Sequence, residues 1–136
     1  MIVWINGCHG AGKTSVSREL QKLFRNAWLF DPEQIGFALR RVWPLDGSAD
    51  FKDLPIWREL TYDLLSRLHA SAPSRPILVP MTLINAAHHQ EVIGRLRHGD
   101  IVVHQFTLMA SSKTLKRRLR WRLDWPSSRR WAVSQI

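Results

Sequence analysis

The chain has 136 residues, of which 45% are hydrophobic, and carries a formal net charge of +9 from 20 basic and 11 acidic residues. This length suits one domain, residues 1–136, with a hydrophobic core of its own. The longest apolar stretch, residues 77–84, is far too short to span a bilayer. A single cysteine excludes an intrachain disulfide.

Predicted strands and helices alternate along the chain. Apolar runs predict strands at residues 2–6, 27–30, 77–79 and 101–108. Helical periodicity predicts helices at residues 14–25, 33–42, 56–70, 86–96 and from 111 or 112 to about 123. Residues 43–55 are predicted as a loop, and residues 131–136 as the start of a further helix. This alternation predicts an α/β fold with a parallel sheet covered by helices on both faces.

A glycine-rich motif lies between the first predicted strand and the first predicted helix. Residues 7–14 match the pattern G-x-x-x-x-G-K-[ST], the phosphate-binding loop of P-loop NTPases. Glycines let the backbone approach an anion, and the helix N-terminus favours negative charge. The residues expected to bind ATP are Gly7, His9, Gly10, Ala11, Gly12, Lys13, Thr14 and Ser15.

Two residues of this motif carry specific chemistry. Lys13 can reach the β- and γ-phosphates of ATP, and the Thr14 hydroxyl can hold Mg²⁺. Because the motif begins at residue 7, a signal peptide could not be removed without losing it, and we expect a cytoplasmic protein.

Asp31 follows the second predicted strand, at the sheet edge where open α/β folds bind ligands. A carboxylate there can take the proton of an acceptor hydroxyl, and Asp31 can also cap the helix that follows. The third predicted strand ends in residues 79–82 without an acid, so Thr14, phosphate oxygens and water would hold the metal, with or without Asp31 as a further ligand. We expect Arg40, Arg58 and Tyr62 to contact the substrate in a pocket beside Asp31.

The positive charge is concentrated near the end of the chain, where residues 113–130 hold eight basic residues and one acid. Arg118 and Arg122 share a helix face and could grip phosphate bidentately. The alternatives for this basic segment are a solvated helix face and a surface for nucleic acid or acidic lipid. Trp121 and Trp125 also suit peripheral membrane contact. No aromatic-rich RNA motif is present, so a nucleic-acid partner is not expected.

Several blocks together resemble the bacterial tunicamycin-resistance ATP-binding proteins. The blocks are residues 5–7, 10–14, 30–33, 35–40, 79–82, 93–97 and 106–111, with further matches at 131–132 and 135–136. That family is similar in fold to nucleoside and small-molecule kinases. In the resembling kinases a carboxylate at the place of Asp31 contacts the acceptor hydroxyl, and a lid, here about residues 111–130, carries arginines at the spacing of Arg118 and Arg122.

The resemblance implies ATP binding and resistance to a nucleoside antibiotic. It is compatible with ATP- and Mg²⁺-dependent phosphorylation of a hydroxyl on the drug, and with ATP-dependent binding of the drug without reaction. Such kinases have a fifth strand after the basic helix, and members of the family run beyond residue 136. We therefore expect that the C-terminal part of the domain is missing from this sequence.

Overall fold

The computed structural model of the chain describes residues 1–43 and 50–121, with side chains up to Arg118. Within these residues four strands form one parallel sheet in the order β2-β3-β1-β4. The strands are β1 (Ile2–Gly7), β2 (Trp28–Leu29), β3 (Ile77–Pro80) and β4 (Val103–Leu108). Part of the predicted loop at 43–55, and the predicted helix at 131–136, lie outside the described residues.

The helices fall close to the predicted positions. They are α1 (Lys13–Leu23), α2 (Glu33–Val42), α3 (Pro55–Ser71), α4 (Ala86–His89), α5 (Arg95–His98) and α6 (Ser112–Trp121). A short 3-10 helix (Phe51–Asp53) precedes α3. A π-helical segment (Gln90–Gly94) joins α4 to α5, where the side chain of Gln90 lies against Gly94 at a place that a Cβ would fill. The single helix predicted at 86–96 is therefore three consecutive segments.

The two faces of the sheet pack against different helices. Ile2, Trp4, Ile77 and Val79 belong to one hydrophobic core that also contains Trp57 of α3 and Leu96 of α5. On the opposite face, which α1 covers, Ile5 and Leu78 are also buried. Each fully buried aliphatic side chain contributes about 1.5–3 kcal/mol relative to exposure. The predicted α/β fold with helices on both faces is confirmed.

Parallel strands bring their carboxyl ends to one edge of the sheet. Gly7 ends β1, Pro80 ends β3 and Leu108 ends β4, while Asp31 lies two residues beyond β2. In the order β2-β3-β1-β4, the connection after β1 runs toward β2 and the connection after its neighbour β3 runs the opposite way, toward β4. Open α/β sheets form a binding crevice where the connections diverge in this way. No described helix is both long enough and apolar enough to cross a membrane.

Candidate phosphate-binding cleft

A cleft of about 470 Å³ opens at the carboxyl edge of the sheet. Its walls come from the glycine-rich loop, the start of α1, the segment after β2, the end of β3, and α6. The residues that line it are His9, Gly10, Ala11, Gly12, Lys13, Thr14, Ser15, Val16, Asp31, Glu33, Pro80 and Arg118. Residues far apart in sequence therefore share one cavity.

The loop between β1 and α1 has the backbone that its glycines permit. The φ angles of Gly7, Gly10 and Gly12 are 141°, 83° and 103°, a region that other residues rarely adopt. A Cβ on Gly7 would also lie 2.8 Å from the carbonyl oxygen of Leu108. The first turn of α1 contains no acidic residue, so its unpaired N–H groups favour an anion in the cleft.

Lys13 is the first residue of α1 and is largely buried. Its ammonium donates hydrogen bonds to the carbonyl oxygens of Gly7 at 2.8 Å and Cys8 at 3.1 Å. These two bonds hold the positive charge at the mouth of the loop. Lys13 also lines the cleft.

The base of the loop is tied to the segment after β3. Asn6 Oδ1 accepts hydrogen bonds from the backbone N–H groups of Gly7 and Leu83, each at 2.9 Å, and Asn6 Nδ2 donates to the Leu83 carbonyl. The Thr82 hydroxyl donates to the Gly7 carbonyl at 2.7 Å. Asn6 and Thr82 were not among the site residues predicted from the sequence. Their position at the ends of adjacent buried strands was the signal that could have identified them.

The segment after β2 contributes Asp31 and Glu33 to the lining of the cleft. Asp31 Oδ1 accepts a hydrogen bond from the backbone N–H of Glu33 at 3.0 Å, so the carboxylate caps the start of α2. Asp31 also lines the cleft. The capping role and a role toward a ligand are compatible, because a carboxylate has several acceptor sites.

Arg118 reaches the loop from α6, which the Ser111 hydroxyl caps by accepting the Thr114 N–H. Arg118 Nη1 donates to the carbonyls of Gly10 at 3.1 Å and Ala11 at 3.3 Å. The basic helix therefore lies over the phosphate-binding loop.

Other parts of the basic segment stay as predictions. Arg122 and Trp125 lie outside the described residues, and the side chain of Trp121 is not described. Neither the second arginine of the predicted pair nor the peripheral membrane contact can be placed.

The three further residues predicted for substrate binding are not among those that line the cleft. Arg58 is buried and pairs with Glu91 at 2.6 Å while also donating to the Lys52 carbonyl. The Arg95 guanidinium lies over the ring of Tyr62, with Arg95 Cζ 3.9 Å from the ring centroid. Both therefore join α3 to its neighbouring segments.

Arg40 is exposed on α2 and lies 5.4 Å from the centroid of the Phe51 ring. Phe51 is the centre of an aromatic cluster under α2. Its ring centroid lies 5.6 Å from that of Trp57 and 6.4 Å from that of Phe37. Gly36 makes room for this ring, because a Cβ there would lie 2.5 Å from it. Trp57 Nε1 donates to the Pro32 carbonyl, which fixes the turn between Asp31 and α2.

The metal site predicted at Thr14 depends on which oxygen and nitrogen ligands lie nearby. Among the described residues no group of three or more His, Cys, Asp or Glu side chains could hold a metal ion. Thr14 does line the cleft. A Mg²⁺ ion that keeps its waters and binds phosphate oxygens needs only one or two protein oxygens, so the cleft fits such an ion.

Several solved structures share this fold. The tunicamycin resistance protein of Deinococcus radiodurans is 32% identical, with a TM-score of 0.75 over 93% of this chain and 73% of that chain. A gluconokinase from Sinorhizobium meliloti is 15% identical, with a TM-score of 0.61 over 98% of this chain and 73% of that one. The Mycobacterium tuberculosis APS kinase, solved with AMPPNP and APS, is 17% identical, with a TM-score of 0.64 over 86% and 66% of the two chains.

No protein-family model and no curated protein matches this chain. The two kinases are too distant in sequence to indicate more than the fold. The identity to the Deinococcus protein is high enough, and extends over enough of both chains, to show common membership. With its P-loop kinase-like fold, this chain belongs to the tunicamycin-resistance protein family.

Proposed function

We propose that this protein binds ATP and Mg²⁺ and phosphorylates a hydroxyl group on a nucleoside antibiotic of the tunicamycin type or on a related small molecule. One observation carries the proposal: Lys13, Asp31 and Arg118, from three separate parts of the chain, line one cleft at the start of α1. Two cations and a carboxylate around one cavity are groups that phosphoryl transfer uses.

The loop residues hold the phosphates of ATP, with the Lys13 ammonium against the outer two. The Asp31 carboxylate takes the proton of the acceptor hydroxyl as that oxygen forms a bond to the γ-phosphorus. The bond from this phosphorus to the bridging oxygen breaks, and ADP leaves. Arg118, together with Arg122 in the basic lid of about residues 111–130, stabilises the negative charge on the transferring group.

The Thr14 hydroxyl would hold Mg²⁺, which would supply positive charge against the β- and γ-phosphates. No acidic residue stands between Ile77 and Ile84, around the end of β3, so the protein contributes few metal ligands of its own.

A second candidate function is ATP-dependent binding of the antibiotic without reaction. The observation that favours it is the same lack of an acid at the end of β3, where the side chains are Pro80, Met81 and Thr82. Fewer protein ligands for the metal would slow transfer and leave binding intact.

The test is incubation of the purified protein with Mg-ATP and tunicamycin, followed by mass spectrometry of the drug and calorimetric titration with AMPPNP. Drug that gains one phosphoryl group, with matching ADP release, supports the kinase. Unmodified drug that is retained by the protein only when nucleotide is present supports sequestration. Failure of the folded protein to bind AMPPNP would overturn both.

A further inference from the structure

The buried hydrogen bonds under the phosphate-binding loop carry an inference about how its lysine is held. We propose that Thr82, supported by Asn6, is a positioning residue that orients the Gly7 carbonyl and, through it, the Lys13 ammonium. The inference rests on the proposed nucleotide site and identifies what sets its affinity.

Both backbone polar groups of Gly7 are held by side chains. Its N–H donates to Asn6 Oδ1 at 2.9 Å. Its carbonyl oxygen accepts from Thr82 Oγ1 at 2.7 Å and from Lys13 Nζ at 2.8 Å. Because the carbonyl has two acceptor sites, the hydroxyl and the ammonium occupy them together. Removal of the hydroxyl leaves the ammonium as the remaining side-chain donor to that oxygen.

Asn6 keeps Thr82 in register with the loop. Its amide side chain pairs with both the N–H and the carbonyl of Leu83, at 2.9 and 3.1 Å. Asn6 and Thr82 are 6% and 8% exposed, so water does not compete freely for these bonds. Thr82 and Gly7 are 75 residues apart in sequence, and their hydrogen bond joins the segment after β3 to the end of β1. The two segments therefore support the loop together.

A donor is the chemistry that this place requires. The Thr82 hydroxyl can donate to a carbonyl, whereas an ionised carboxylate at the same place could only accept and would repel the carbonyl oxygen. The residue at this end of β3 thus serves the loop and its lysine. A shift of a few tenths of an ångström in the Gly7 carbonyl would move the ammonium relative to a phosphate by a similar amount.

The test compares Thr82→Val with Thr61→Val by calorimetric titration with AMPPNP and by thermal unfolding. Thr61 is a matched control because its hydroxyl is also buried and donates to a carbonyl, that of Trp57, at 2.7 Å within α3. An ordinary hydrogen bond changes an equilibrium by about two- to tenfold. We expect both variants to lower the melting temperature, and Thr82→Val alone to weaken AMPPNP binding by about that factor.

Thr82→Ser restores the hydroxyl and is expected to return the affinity to within about twofold of the parent. If Thr82→Val does not fold, Thr82→Cys takes its place, because the thiol is of similar size and is a weak donor. We expect its AMPPNP affinity to be lower than that of the parent and of Thr82→Ser. Equal affinities in the parent and in the Val or Cys variant, or equal losses in Thr82→Val and Thr61→Val, would overturn the inference. Absence of binding by the parent protein would instead overturn the nucleotide site itself.

Discussion

The two sides of the cleft are built in different ways. The phosphate side consists of contiguous residues 9–16, whose conformation follows from glycines and the start of one helix. The acceptor side depends on Asp31 and α2, which are held by Phe51 and Trp57 from later in the chain. We therefore expect substitutions beneath α2 to affect the proposed acceptor side more than the proposed phosphate side, whose base depends instead on Asn6 and Thr82.

Lys13→Ala removes the cation of the phosphate side and has the largest expected effect. We expect loss of measurable ATP binding, because charge-assisted bonds to phosphate are among the strongest in proteins. The melting temperature should fall only slightly, since the lost bonds go to the two loop carbonyls. Lys22→Ala on the same helix is the control, because Lys22 is exposed and forms a surface ion pair with Glu19. Unchanged ATP affinity in Lys13→Ala, measured by calorimetry, would remove the phosphate-side assignment.

Asp31→Asn tests the acceptor side of the cleft. The amide oxygen can still accept the Glu33 N–H, so the helix cap and ATP affinity should persist. Loss of the proton acceptor is expected to slow transfer by about 10²–10⁴. Asp63→Asn, at an exposed ion pair with Arg67, is the matched control. A turnover within a few-fold of the parent would leave Asp31 as a cap alone.

Gly36→Ala tests the packing that supports the acceptor side. Its Cβ would lie 2.5 Å from the Phe51 ring, so the ring or α2 must move. Overpacking of this kind costs about 1–3 kcal/mol, more than the about 0.5–1 kcal/mol that alanine adds to a helix. Chemical denaturation should show this loss, with ATP affinity nearly unchanged.

Gly99→Ala is the matched control for Gly36→Ala, because a Cβ at Gly99 meets nothing closer than 3.5 Å. It should leave stability close to that of the parent. If Gly36→Ala weakened ATP binding as strongly as drug binding, the two sides of the cleft would not be independent.

Phe37→Ala has the smallest expected effect. The Phe37 side chain is 47% exposed and lies one helical turn beyond Glu33, with its ring tilted 72° from that of Phe51. Loss of an exposed ring costs little stability, and we expect the KM for the acceptor to rise about three- to tenfold while the KM for ATP is unchanged. Leu23→Ala, on the exposed side of α1, should change neither constant. Equal KM values for the acceptor in Phe37→Ala and the parent would exclude this ring from the acceptor side.

The local sequence determined the positions of several strands and helices and of the glycine-rich loop that forms the phosphate side of the cleft. Apolar runs and helical periodicity located β1, β3, α2 and α3 to within one residue or two at each end, because these patterns report burial along a single segment. The glycine spacing also located the loop before α1, since positive φ angles are a property of the residues themselves. The nearby Asp31 was identified because the carboxyl end of a strand can be located from the strand alone.

Only the tertiary structure decided which distant side chains meet. Arg58 is a basic residue in sequence, yet the fold buries its side chain and pairs it with the half-exposed Glu91. Arg118 reaches the carbonyls of Gly10 and Ala11, more than 100 residues earlier in the chain. Thr82 supports a loop that lies 75 residues earlier. Such contacts depend on strand order and helix packing, which couple distant parts of the chain and leave no periodic signal in either part.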